Sequence, residues 1–118
     1  MKKIYLLCSQ GMSTSLLASM MQDCANQHKL PIEIIAYPHG KLPSIIEKQS
    51  LPDAILLGPQ VKYLLEETRE RFEDLRIPIL LINQDDYGML NSEKILKRTL
   101  IAMKENKEKR NHESIDDI

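Results

Sequence analysis

The stretch CSQGMSTS at residues 8–15 sets one thiol, Cys8, between the apolar run KKIYLL and a string of small hydroxyl residues. Thiols ionise more readily, and so become stronger nucleophiles, where main-chain N–H groups and a helix N-terminus supply positive potential. Gly11 lets the backbone come close or take a positive φ, while Ser9, Ser13, Thr14 and Ser15 offer hydroxyl donors. A loop of this make-up suits an anion, above all phosphate. The chemistry it predicts is attack of the Cys8 thiolate on phosphorus, with the phosphoryl group cradled by residues 9–15, Gln10 and Met12 included. The plain structural alternative is a cysteine buried as a small hydrophobe, the usual fate of a free thiol.

Such a loop needs elements to hold it. Residues 2–8 read as a buried strand, and leucines and methionines at 16, 17, 20 and 21, with Cys24, recur at helical spacing over the following segment. Further apolar runs at 32–37, 53–58 and 77–83 predict three more strands. Between them, 41–50 reads as a short helix and 60–75 as a longer one carrying a stripe of Val61, Leu64, Leu65, Phe72 and Leu75. The stretch QDDYGML reads as a loop, followed by a final helix capped at Asn91 or Ser92. Strands alternating with helices define an α/β domain, a four-stranded parallel sheet with helices on both faces. Ligands in such sheets bind beyond the carboxyl ends of the strands, where Cys8 stands. Residues 1–105 form the predicted domain, and 106–118, charged and nearly free of apolar residues, a disordered tail.

Composition narrows the chemistry further. A formal charge of −1 argues against a nucleic-acid partner, which calls for a basic stripe. Cys24 falls about a dozen residues down the first helix, roughly 15–18 Å from its start, too far for a disulfide to Cys8. Free thiols and the absence of a signal-peptide pattern predict a cytoplasmic protein. His28, His39 and His112 lie on separate elements, so no metal or other cofactor is expected.

The loop is similar in design to the C-x5-R loop of cysteine phosphatases, but Thr14 stands at the arginine position and no arginine occurs before Arg69. Without a guanidinium the loop is better fitted to pass a phosphoryl group on than to hydrolyse it. The segments IYLLCSQGMSTSLLASMM, DAILLGPQVKYLL and DYGML resemble the IIB component of the lactose/cellobiose (chitobiose) branch of the bacterial sugar phosphotransferase system. The signature C-[SA]-x-G-M-S-T-S of that family is met without departure at 8–15.

The resemblance implies a phosphocarrier with a fold like low-molecular-weight tyrosine phosphatases. Cys8 would accept the group from a phosphohistidine of a IIA protein and deliver it to a disaccharide of the cellobiose, chitobiose or lactose type. That sugar enters through the membrane component IIC, beside which a monomeric IIB would work. Gln60 and Tyr87 are placed as partner contacts on the same edge as Cys8, each with a local alternative: a helix start for Gln60, a loop anchor for Tyr87. Asp86 is a candidate proton donor, against the alternative of turn chemistry. Two rival functions share the scaffold, a small cysteine phosphatase or arsenate-reductase-like hydrolase and a non-catalytic regulatory module.

Overall fold

The computed structural model describes the chain apart from residues 9–11, 49–50, 73–75 and 117–118, and the side chains of 12–13, 46–48 and 107–116. Four strands, β1 (Lys2–Cys8), β2 (Ile32–Pro38), β3 (Ala54–Leu57) and β4 (Ile79–Leu81), make one parallel sheet in the order β2-β1-β3-β4. The connections carry α1 (Met12–Gln27), α2 (Leu42–Lys48) and α3 (Leu65–Phe72); α4 (Gln84–Gly88) and α5 (Ser92–Asp116) follow β4. The expected α/β class is the observed one.

Alternation along each strand divides the core into two layers. Ile4, Leu6, Ile32, Ile34, Ala54 and Leu56 face α1 and α5, where Leu17, Met21, Ile95 and Leu96 cover them. Tyr5, Leu7, Ile55 and Leu57 face the other way, against Leu42, Ile45, Val61 and Phe72. Strand β1, paired on both edges and covered on both faces, is fully buried from Ile4 to Leu7. By the same alternation Cys8 belongs to the α1/α5 layer.

Local chemistry sets the helix ends. Helix α1 stops in a Schellman arrangement: Leu30 N donates to Ala25 O (2.9 Å) and Lys29 N to Asn26 O (3.1 Å), with Lys29 at φ 56°. Gln22 of α1 reaches the edge strand, accepting from Ile34 N and donating to Ile32 O, so β2 is partly satisfied along its free side.

Four expectations need correction. Residues 84–88 are a helix, not a loop. Asn83 caps it by accepting from Asp86 N at 2.7 Å, and a second Schellman turn with Leu90 at φ 54° ends it. Five residues are too few for apolar periodicity to reveal. The expected helix from 60 begins as a 3-10 segment, Pro59–Leu64, kinked at the buried, β-branched Val61 (φ −113°, ψ 25°); Leu75 of its stripe lies outside the described residues. The tail expected to be disordered is helical to Asp116, because Lys, Glu and Arg propagate a helix and no Gly or Pro interrupts them. Leu16 is not a core residue but 52% exposed, the buried face of α1 passing through Leu17, Ala18, Met21 and Ala25 instead.

Leu6→Ala, at a fully buried position, is expected to cost about 2–5 kcal/mol, since neighbouring layers collapse only partly into the cavity. The check is a lowered urea midpoint at unchanged slope.

Candidate active site

The sheet has one topological switch point. From β1 the chain moves outward to β2, then returns to the other side for β3 and β4. The crevice beyond the carboxyl ends of β1 and β3 is where such sheets hold ligands. Cys8 ends β1 there, and Gly58, whose N–H donates to Leu7 O at 3.0 Å, ends β3. Cys8 is 5% exposed, so the thiol is largely covered. Neither Cys8 nor Cys24 forms a disulfide; Cys24 is half-buried against the α1/α5 layer.

Of the proposed phosphate loop, Ser9, Gln10 and Gly11 lie outside the described residues, and Met12 and Ser13 are described in backbone only, as the opening of α1. The first N–H groups of a helix have no intrahelical acceptor, so the start of α1 offers amide donors beside the strand that carries Cys8. Ser15 is exposed on that first turn. Thr14 is not: it is 1% exposed, and its Oγ1 lies 2.7 Å from the Tyr87 hydroxyl oxygen. The hydroxyl expected to meet a phosphate is already engaged inside the protein.

Tyr87 is also buried, its ring packed in the α1/α5 layer. That placement answers to the loop-anchor alternative, since a buried ring offers a partner little surface. A methyl group on Gly58 would sit 3.6 Å from both Tyr87 Cε2 and Leu7 O, so Tyr87 reaches the switch point itself. Gln60 is exposed, and its Oε1 folds back to 2.7 Å from that same methyl position. Two exposed apolar side chains that sequence reasoning passed over, Tyr63 (78%) and Met89 (74%), stand on the segments that follow β3 and β4. Leu16 on α1 is likewise exposed. Periodicity does not mark the first two: Tyr63 lies in a short 3-10 segment and Met89 just past a five-residue helix.

Asp86 is buried and anchors its own segment. Oδ1 accepts from Asn91 Nδ2 at 3.0 Å, Lys94 Nζ lies at 3.4 Å, and Arg98 Nη1 stands 3.8 Å from Oδ2. The Asn91 hydrogen bond and then the Lys94 ammonium hold its pKa below the ordinary carboxylate range, against the opposing effect of burial. A carboxylate so held is poorly suited to donating a proton near neutrality, and its partners belong to the start of α5. Arg69, the first arginine of the chain, is on α3 and pairs with Glu66 at 3.7 Å. Among the described residues no group of three or more His, Cys, Asp or Glu side chains is placed to hold a metal ion. No described helix is long and apolar enough to cross a membrane.

An open parallel sheet with a cysteine at its switch point, and a helix opening at Met12, defines the α/β class of the domain. Residues 3–98 match the family described as PTS system, Lactose/Cellobiose specific IIB subunit, and the chain belongs to that family. It is 37% identical over 97 residues to the galactose-specific EIIB component of Lactococcus lactis subsp. cremoris, covering 80% of this chain and 90% of that one. The cellobiose-specific EIIB component of Lactococcus lactis subsp. lactis matches to the same extent. The oligo-beta-mannoside-specific EIIB component of Bacillus subtilis is 36% identical over 103 residues, covering 87% of this chain and 97% of that one. The cellobiose-specific phosphotransferase IIB component of Borrelia burgdorferi superimposes with a TM-score of 0.70 at 30% identity, over 89% of this chain and 94% of that one. The lactose-specific IIB domain of Streptococcus pneumoniae, at 24% identity and a TM-score of 0.75 over 86% of this chain and 96% of that one, shares the fold.

Two outcomes follow from this geometry. Gly58→Ala is expected to be tolerated, because its φ is −67° and the nearest obstacle is the movable end of Gln60; thermal unfolding checks this, and a shift beyond about 5 °C contradicts it. Asp86 binds its proton less readily folded than unfolded, so its stabilisation is present above about pH 4 and is lost as pH falls through the depressed folded value. Asp86→Asn is therefore expected to lower stability at neutral pH and to flatten its decline in acid, measured as urea midpoints across that range.

Proposed function

We propose that this IIB-family chain is a phosphocarrier in which Cys8 accepts a phosphoryl group from a phosphohistidine of a IIA protein and gives it to a sugar. In the first step the Cys8 thiolate attacks phosphorus in line, the P–S bond forming as the P–N bond to the donor imidazole breaks, and the released imidazole takes up a proton. In the second a sugar hydroxyl attacks, the P–O bond forms, the P–S bond breaks to return the thiolate, and the hydroxyl proton leaves to solvent. Neither step calls for a metal: transfer between two side chains rests on positioning and on charge stabilisation by the amides of residues 9–15.

The observation that carries this reading is the place of Cys8, at the carboxyl end of the buried central strand and four positions before the start of α1, in a chain with Thr14 where a phosphatase loop has arginine. The absence of that guanidinium favours carriage over hydrolysis. Leu16, Tyr63 and Met89, with Gln60, supply exposed contacts for IIA and then for the membrane component IIC. The relatives' names point to a sugar of the cellobiose, galactose or oligo-β-mannoside class. The work is that of a cytoplasmic monomer meeting IIC at the membrane, with residues 1–105 as the transfer domain and 106–118 as an appendage.

Mixed with a histidine-phosphorylated IIA protein, the chain is expected to gain the mass of one HPO3 group, mapped to Cys8. Cys8→Ser takes no label and Cys24→Ser takes it normally; a label on any other residue would falsify the assignment.

A further inference from the structure

We propose that Thr14 and Tyr87 form a positioning pair, a neutral hydroxyl–hydroxyl bond that sets the first turn of α1 against Cys8. The inference rests on the transfer reading above. It assigns Thr14 a role other than touching phosphate and Tyr87 a role other than meeting a partner.

Both groups are buried, Thr14 at 1% and Tyr87 at 8% exposure, and the oxygens are 2.7 Å apart. Inside the protein such a bond is electrostatically stronger than in water, and each oxygen has few other partners to turn to. The bond joins the opening of α1 to α4, segments 73 positions apart in the chain. Helix α4 is itself fixed at both ends. Asn83 caps its start, and Asn91 grips Asp86 twice, through Nδ2 to Oδ1 (3.0 Å) and through its own N–H to Asp86 O (2.9 Å). Lys94 and Arg98 of α5 add their charges to the same carboxylate. A rigid path thus runs from α5 through Asp86 and α4 to Tyr87, and ends on Thr14 within the amide-bearing turn. The Tyr87 ring also approaches Gly58, just after β3, closely enough that a methyl group there would lie 3.6 Å from Cε2.

The Thr14 position carries a cation in the C-x5-R loop. A guanidinium there grips the phosphoryl oxygens directly; here the residue is turned inward, and what it can supply is the direction of the N–H groups around it. In-line transfer is sensitive to misplacement on the ångström scale, so losing the tie should slow chemistry more than docking.

The test is single-turnover phosphorylation of Cys8 by a histidine-phosphorylated IIA donor. Tyr87→Phe keeps the ring and deletes one oxygen. It is expected to lower the limiting rate about tenfold, with half-saturation by the donor changed less than about twofold. Thr14→Val cuts the bond from the other side to similar effect, and Thr14→Ser, which restores the hydroxyl, recovers most of the loss. The double variant Thr14→Val/Tyr87→Phe is expected to be no slower than either single one, the mark of a shared interaction. A wild-type limiting rate in Tyr87→Phe, additive losses in the double variant, or an effect confined to half-saturation would each overturn the pair. If wild-type protein takes no label on Cys8, the transfer reading itself fails and this inference with it.

Discussion

The site depends on the double-sided burial of β1. Ile4, Tyr5, Leu6 and Leu7 are wholly enclosed, paired along both edges and covered by helices on both faces. A strand in that situation has no free edge and no solvent face. Cys8 is the last residue of that strand, and the proposed chemistry is placed there. Each of the large apolar side chains along β1 contributes about 1.5–3 kcal/mol of burial, so the strand end is firmly placed.

Polar groups around this point are used with economy. Lys94 and Arg98 are committed to Asp86 and thereby to holding α4 on α5. In the proposed transfer, the phosphoryl group would be met by main-chain amides at the start of α1. The contrast with a phosphatase loop lies in Thr14: a side chain that would grip is exchanged for one that faces inward and ties the helix to Tyr87.

The strands and the thiol were legible in the sequence because both are local signals. An unbroken apolar run closed by CSQGMSTS places a buried strand ending on the thiol, and β1 begins and ends where that reading puts it. The short helix after β4 was not legible, since a five-residue element has no period to detect; its one cue was Asn83 ahead of two acidic residues, a capping pattern. The Thr14–Tyr87 bond could not be read at all, because it depends on how α4 packs on α1 and α5 in three dimensions. Tyr63 and Met89 escaped notice for a related reason: sequence patterns report what the core takes in, not what it leaves outside.

Central to this account is a covalent bond from phosphorus to the sulfur of Cys8. Phosphorus NMR of the chain after treatment with a phosphorylated IIA protein tests it directly, since sulfur-bound, nitrogen-bound and oxygen-bound phosphorus resonate in different regions. The account predicts a single thiophosphate-ester resonance that disappears when sugar and IIC are supplied. A phosphoramidate or an ordinary phosphate ester in its place, or free inorganic phosphate alone, would contradict it.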